Sequence, residues 1–261
     1  MKKIIITSLI SLLLASSVNA GTDGENNLSK KPKTEVKDCF ENINRATFKF
    51  NQVLDGAIFE PVATAYRVLP SPVRVGASNA LDNLSSLITI PNNILQGEIK
   101  KAGVNVGRFF INTTVGILGL VDVAQNIGFP EYEKEDYGQT LGAMGISAGC
   151  YLVLPVLGPS TVRDTAGSFI NVFGGDPWYN ASMNGNNEYL SKSQYAATKV
   201  LTGIDFRAKN IDSIKNLEKN SMDFYASVRS LYIQDRQQKI ANRNVTLEII
   251  YDGDWEEIES Q

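Results

Sequence analysis

The sequence contains no histidine. That removes the general base of Ser-His-Asp and Cys-His catalysis and the commonest zinc ligand. Cysteine is almost as scarce. Cys39 and Cys150 are the only thiols, too few for a cysteine-only zinc site. A Cys39–Cys150 disulfide and a pair of buried thiols are both compatible with the sequence, because spacing along the chain does not decide whether two cysteines meet. Long apolar runs are missing too. Beyond the N-terminus no segment is continuous enough to span a bilayer, which takes about 20 residues. Basic residues are outnumbered, 25 Lys and Arg against 28 Asp and Glu, and form no concentrated face. This argues against a nucleic-acid partner. A phosphate-cradling G-x-x-x-x-G-K-[ST] loop is absent. Asp82, Asp122, Asp136, Asp164 and Asp205 are scattered without EF-hand spacing. No cofactor and no metal is expected.

What is present begins with an export signal. Lys2 and Lys3 precede an apolar stretch from Ile4 to Leu14, and small residues follow at Val18 and Ala20. Cleavage is expected between Ala20 and Gly21. It leaves 261 − 20 = 241 residues with a net charge of 23 − 28 = −5, enough chain for a sizeable core. Residues 21–37 read as a flexible polar lead. Residues 38–242 form the ordered body, and 243–261 an acidic tail.

Within the body, Phe40, Ile43, Thr47, Phe50 and Leu54 recur every three or four residues, which predicts an amphipathic helix over 38–55. Asp38 and Glu41 have the spacing of a capping box. Pro61 suits the first turn of a helix reaching Leu69, and Pro70-Ser71-Pro72 ends it. Further helices are expected at 73–84, 86–96, 98–112, 115–127, 163–173, 188–203 and 211–242, with breaks at Pro91, Gly97 and Asn112. A charged loop is expected over 128–136. The strand candidates are Tyr151–Leu154 and Thr246–Tyr251. The class is all-α.

The stretch from Tyr137 to Pro159 is rich in glycine and apolar residues and almost uncharged. Gly145-Ile146-Ser147-Ala148-Gly149 matches the serine-hydrolase turn G-x-S-x-G, but no histidine and no preceding strand accompany it, so Ser147 reads as a turn residue. Gly138 and Gly142, Gly145 and Gly149, and Gly103 and Gly107 are each four apart. On a helix that spacing gives a flat face open to close approach; in loops the same glycines simply make turns. Such an uncharged segment fills a core or lines an apolar passage. The passage reading assigns a lipid route to Gly142, Gly145, Gly149, Leu152, Leu154, Val156 and Leu157.

These segments, in their shared order, resemble the MlaA/VacJ family of outer-membrane phospholipid-transport proteins. Asp38 to Asp55 is similar to the family's opening helix, with Asn44-Arg45, Phe48, Phe50-Asn51 and Leu54-Asp55 at matching places. Pro61, Tyr66 and Pro70 follow, then Asn79, Asn83-Leu84, Asn93 and Leu95-Gln96-Gly97. Arg108-Phe109, Asn112-Thr113, Gly116, Gly119 and Asp122 continue the match. Glu135 to Gly142 resembles an acidic-then-GQTLG segment. The most specific run goes from Tyr151-Leu152-Val153-Leu154-Pro155 through Gly158-Pro159-Ser160-Thr161 to Arg163-Asp164. Asp223-Phe224-Tyr225, Arg229, Tyr232 and Gln234 close it.

The resemblance implies a single helical, ring-like domain with amphipathic helices and a glycine-rich apolar hairpin. It implies a place at the periplasmic face of the outer membrane. It also implies non-enzymatic removal of misplaced phospholipid from the outer leaflet, with a trimeric porin and a soluble periplasmic lipid carrier as partners. Withdrawing a phospholipid exposes about 30 methylenes, at a cost on the order of 25 kcal/mol. The task therefore needs an apolar lining and a wet headgroup route rather than a catalytic residue. The alternative is an envelope scaffold with this fold and no transport. Two features depart from the family. Gly21 stands where an acylated cysteine is typical, so no lipid anchor is expected. Cys39 and Cys150 stand at family proline positions.

Overall fold

The computed structural model describes residues 36–181 and 191–251. The export signal, the Ala20–Gly21 cleavage site and nearly all of the polar lead lie outside the described residues, as does the tail beyond Tyr251. Helix α1 (Glu41–Leu54) runs through a π-helical turn (Asp55–Phe59) into α2 (Glu60–Arg67). Helices α3 (Ser71–Leu95), α4 (Ile99–Thr114) and the short α5 (Val123–Asn126) follow. Helix α6 (Tyr137–Ala143) leads into an antiparallel hairpin of β1 (Tyr151–Leu154) and β2 (Gly158–Thr161), in which Tyr151 faces Thr161 and Leu154 faces Gly158. After α7 (Val162–Ile170) and the short α8 (Pro177–Tyr179) come two long helices, α9 (Lys192–Asn220) and α10 (Phe224–Tyr251). Among the described residues the domain is all-α apart from this hairpin.

Local chemistry sets several boundaries. Pro61 sits in the first turn of α2, where a missing N–H is harmless. Asp136 and Thr161 cap α6 and α7 by accepting from the N–H groups of Gln139 and Asp164. Ser191 and Gln194 form a reciprocal capping box at the start of α9.

Other boundaries differ from expectation, each for a physical reason. Helix α3 runs straight through Pro91. Its last turns are tied to the rest of the protein by Thr89, Asn92 and Asn93, which bond Tyr132, Thr140 and Asn105. Tertiary hydrogen bonds there outweigh the local break. The helix expected over 115–127 shrinks to α5. Before it, Ile117 and Leu118 take φ of 54° and 58°, which no helix allows. Helix α9 continues through 204–210, and the break falls at 221–223 instead. The apolar period is lost over 204–210 because Asp205 and Arg207 are the inward residues. Thr246–Tyr251 is helical, not a strand. Asp38 does not cap α1, whose N-cap is Phe40 with no side-chain bond. It accepts instead from Asn44 Nδ2 at 2.7 Å and from the Tyr225 hydroxyl. Val36, placed by the sequence in the flexible lead, is buried.

The hairpin anchors the apolar core. Val36, Tyr151, Val153 and Tyr225 are buried together, with Phe48, Tyr232 and Ile233 packed around them. Tyr151 meets Tyr225 and Tyr232 edge to face at 6.1 and 6.3 Å, and Phe48 meets Tyr225 at 5.5 Å. The two cysteines do meet: a Cys39–Cys150 disulfide, Cα–Cα 5.6 Å, joins the entry of α1 to the foot of β1. Helix α1 also serves the free edge of β1. Asn44 donates to Tyr151 O at 3.0 Å and accepts from Val153 N–H at 2.9 Å. Two turns on, Asn51 donates to Leu154 O at 2.9 Å and accepts from Val156 N–H at 2.8 Å. A carboxamide carries one donor face and one acceptor, so each asparagine stands in for a peptide group of a third strand.

Candidate functional site

Polarity is distributed inside out. Among the described residues, buried polar side chains outnumber buried apolar ones, while large apolar side chains lie exposed along most helices. In α4, Ile99, Val106 and Phe110 face outward, with Phe110 61 % exposed, and Asn105, Arg108 and Asn112 are buried. Spacings of three and four put each set on its own face. Helix α1 repeats this, with Ile43, Phe50 and Val53 exposed and Asn44 buried. The turn between α4 and α5 adds Val115, Ile117, Leu118 and Leu120, with Leu118 75 % exposed. An apolar exterior of this extent is costly in water and favourable against lipid or another apolar surface. No helix among the described residues is long and apolar enough to cross a membrane.

Behind that exterior lies a lattice of amides and hydroxyls. Along α3, Ser78, Ser86, Thr89, Asn92 and Asn93 are buried, as is Gln96 at its C-cap. Asn105 donates to Asn93 Oδ1 at 2.8 Å, and Gln96 donates to Thr140 Oγ1 at 2.8 Å and to Glu135 Oε2 at 3.0 Å. Asn83 donates to Thr113 Oγ1 at 2.8 Å. Arg108, its side chain 4 % exposed, bonds Asp122 at 2.5 Å and Pro130 O at 2.6 Å. Asn112 completes this corner by donating to the other oxygen of Asp122 at 2.9 Å. A second, part-buried network ties α10 to α6 and α7. Arg236 bonds both oxygens of Asp136, at 2.6 and 2.9 Å, and Asp164 at 3.0 Å. Burial alone would raise the Asp136 pKa, but the hydrogen bonds and charge of Arg236 hold it at about 2.

Two charges are exposed yet close to other protein groups. Asp82 and Lys134 are exposed by their surface, yet protein crowds both. Desolvation pushes Asp82 above its ordinary value even though Lys209 and Lys134 attract its charge. Desolvation pushes Lys134 down, helped by repulsion from Lys199 and Lys239. Where α3, α8 and α9 meet, a cavity of about 30 Å³, bordered by Asp176, Thr198 and Lys199, has room for a water. Asp176 itself is buried and accepts from Lys199 at 3.2 Å.

The residues assigned to a lipid route fall into two groups. Gly142 packs against Arg163 and Ile240, where a Cβ would come within 2.5 Å of Ile240 Cδ1. Its neighbour Gly138 meets Asp164 and Arg236 equally closely. Their close approach is to protein. Gly145 and Gly149 are turn residues, with φ of 87° and 70°. Leu152, Leu154, Val156 and Leu157 form the second group. Leu152 and Leu154 are half-buried on the face of β1 opposite Tyr151 and Val153, and Val156 and Leu157 are exposed at the tip. Val156 has φ of 68°, a strained value for a β-branched residue, and Asn51 holds its N–H. Ser147 lies exposed in the irregular segment before β1, so the strand follows it and no nucleophile elbow forms. Arg163-Asp164 starts α7 as a buried ion pair, 3.0 Å apart.

The polar stripe of α3 went unread in the sequence. Its signal was small polar residues every three or four positions within an otherwise apolar segment, which reads as noise when apolar residues are taken to face inward.

The family model described as "MlaA lipoprotein" matches residues 36–239. The "Intermembrane phospholipid transport system lipoprotein MlaA" of Haemophilus influenzae is 30% identical over 91% of this chain and 90% of its own length. The protein of the same name from Escherichia coli K12 is 35% identical over 88% of this chain and 85% of its own length. A solved structure described as "Structural basis for maintenance of bacterial outer membrane lipid asymmetry" superposes with a TM-score of 0.65 and 35% identity, covering 78% of this chain and 99% of that one. Both named relatives are lipoproteins. This overturns the expectation, drawn from Gly21, that the protein lacks a lipid anchor.

Proposed function

The chain belongs to the MlaA lipoprotein family, and from that premise we propose that it withdraws misplaced phospholipid from the outer leaflet of the outer membrane. It does so without catalysing a reaction. The observation that carries this reading is the opposed polarity of α3 and α4: apolar faces outward, amides inward. An apolar exterior lets the helices sit among acyl chains without spanning the bilayer. A wet polar interior gives a zwitterionic or anionic headgroup somewhere to go at low desolvation cost. The hairpin face of Leu152, Leu154, Val156 and Leu157 is the acyl-chain contact in this reading. A trimeric porin would seat on the outward apolar surface, and a soluble periplasmic carrier would take the lipid onward.

Mass spectrometry of lipids bound to protein extracted from native envelopes tests this. Glycerophospholipid at fixed stoichiometry is expected. Lipid-free protein, with unchanged outer-leaflet composition on deletion, would favour the scaffold alternative. Leu154→Asp probes the hairpin: normal abundance with lost transfer is expected. Loss of the protein itself would make this face part of the core, since a buried unpaired carboxylate costs several kcal/mol.

A further inference from the structure

A cavity of about 280 Å³ opens between α2, the first two turns of α3 and the middle of α9. Arg74, Lys209, Asp205, Tyr66, Ser71 and Ser78 supply its polar wall, and Val75 and Ala208 part of its apolar wall. We propose that this cavity is a subsite for a singly charged phosphodiester, the linkage of a glycerophospholipid headgroup. The proposal rests on the lipid-transfer reading above and names where the phosphate is held.

The charges balance for a monoanion. Asp205 is engaged twice, accepting from the Tyr66 hydroxyl at 3.2 Å and pairing with Lys209 at 2.8 Å. Lys209 also donates to Ser78 Oγ, and its side chain stays 56 % exposed toward the opening. Among the described residues Arg74 pairs with no carboxylate. Among the described residues its one bond runs from Nε to Leu69 O at 3.0 Å, which fixes the plane of the guanidinium and leaves both terminal nitrogens free. Within the lining, two cations against one carboxylate leave a net charge of +1, carried by a planar fork whose geometry matches two oxygens of a phosphate; Asp82, whose charge Lys209 also attracts, is outside the lining. Ser71 and Tyr66 also line the cavity, and the volume exceeds what a bare phosphate fills. The apolar side formed by Val75 and Ala208 suits the glycerol carbons next to the phosphate.

The test is calorimetric titration of delipidated mature protein in a phosphate-free, sugar-headgroup detergent, with sn-glycero-3-phosphoethanolamine and inorganic phosphate as separate probes. Saturable binding of the diester, stronger than that of phosphate, is expected. Arg74→Gln should weaken it at least about tenfold, or about 1.4 kcal/mol, and Arg74→Lys should restore part of it. Val75→Trp fills the cavity from an exposed position and should abolish binding with every charge intact, so it decides the matter if Arg74→Gln does not fold. Unchanged affinity in Val75→Trp or in folded Arg74→Gln overturns the proposal. So does phosphate binding as tightly as the diester, which would mark a free-phosphate site, and so does absence of diester binding to the unmodified protein. Lipid co-purifying with the native protein in any of those cases would sink the subsite and leave the transfer reading standing; absence of co-purified lipid removes both.

Discussion

The hairpin region and the α3–α4 pair bury opposite kinds of side chain. Around β1, aromatic rings from α1 and α10 close on Tyr151 and Val153, and polar groups serve the strand edge. Between α3 and α4, amides and an arginine close on one another, and the aromatic and aliphatic residues point out. The first arrangement draws its stability from removing apolar surface from water. Placed against lipid, as the proposed function has it, the second cannot, because lipid is as apolar as leucine. Helices there must be held by hydrogen bonds and close contact. One chain thus joins an apolar core to a helix pair with a polar interior and an apolar exterior, and a disulfide and two asparagines bind α1 to the hairpin at the first of these.

The largest expected loss tests the first region. Tyr151→Ala should cost about 3–5 kcal/mol, the usual penalty for emptying a buried aromatic site, seen as a lower midpoint of unfolding in detergent. Tyr151→Phe should cost little, because the buried hydroxyl has no partner among the described residues. An equally damaging Phe variant would show that the hydroxyl is bonded. Next comes the disulfide, which spans 111 residues of chain. Replacing Cys39 and Cys150 by serine should cost about 2–4 kcal/mol, and hydrogen exchange should rise first at β1. Uniform loss of protection across α3 and α4 would mean that the two regions do not behave separately.

Much of this architecture was legible in the sequence. The period of α1, the stop at Pro70, the strand at Tyr151–Leu154 and the charged loop before α6 all follow from local chemistry. The direction of the amphipathic faces was not legible. A period of 3.6 locates a stripe and is silent on whether that stripe meets protein or lipid. The same blind spot hid α9 across 204–210, where the inward residues are Asp205 and Arg207, and left the polar stripe of α3 unread. Pro91 misled because its neighbours Asn92 and Asn93 find partners tens of positions away or one helix over, at Thr140 and Asn105. The meeting of Cys39 with Cys150 depends on the packing of α1 against β1, which spacing cannot report.

Smaller effects sharpen the second region. Asn105→Leu leaves Asn93 Oδ1 without its donor and should cost about 1–3 kcal/mol, less than Tyr151→Ala although both sites are buried. Phe110→Ser, on the outward face of α4, should change stability in detergent by under about 0.5 kcal/mol. Its effect should appear instead as weaker retention in the membrane fraction after a carbonate wash. Unfolding by Phe110→Ser would place that ring in a protein core.

The claim that α3 and α4 turn their apolar faces to lipid and their charges to water has a direct measurement. The native cysteines are paired, so a third cysteine is a unique labelling site. Nitroxide labels at Phe110→Cys and Asp82→Cys, in protein reconstituted into bilayers, would be relaxed by dissolved oxygen and by a water-soluble nickel chelate. The account predicts oxygen-dominated relaxation at 110 and chelate-dominated relaxation at 82. Chelate access at 110 equal to that at 82 would contradict it.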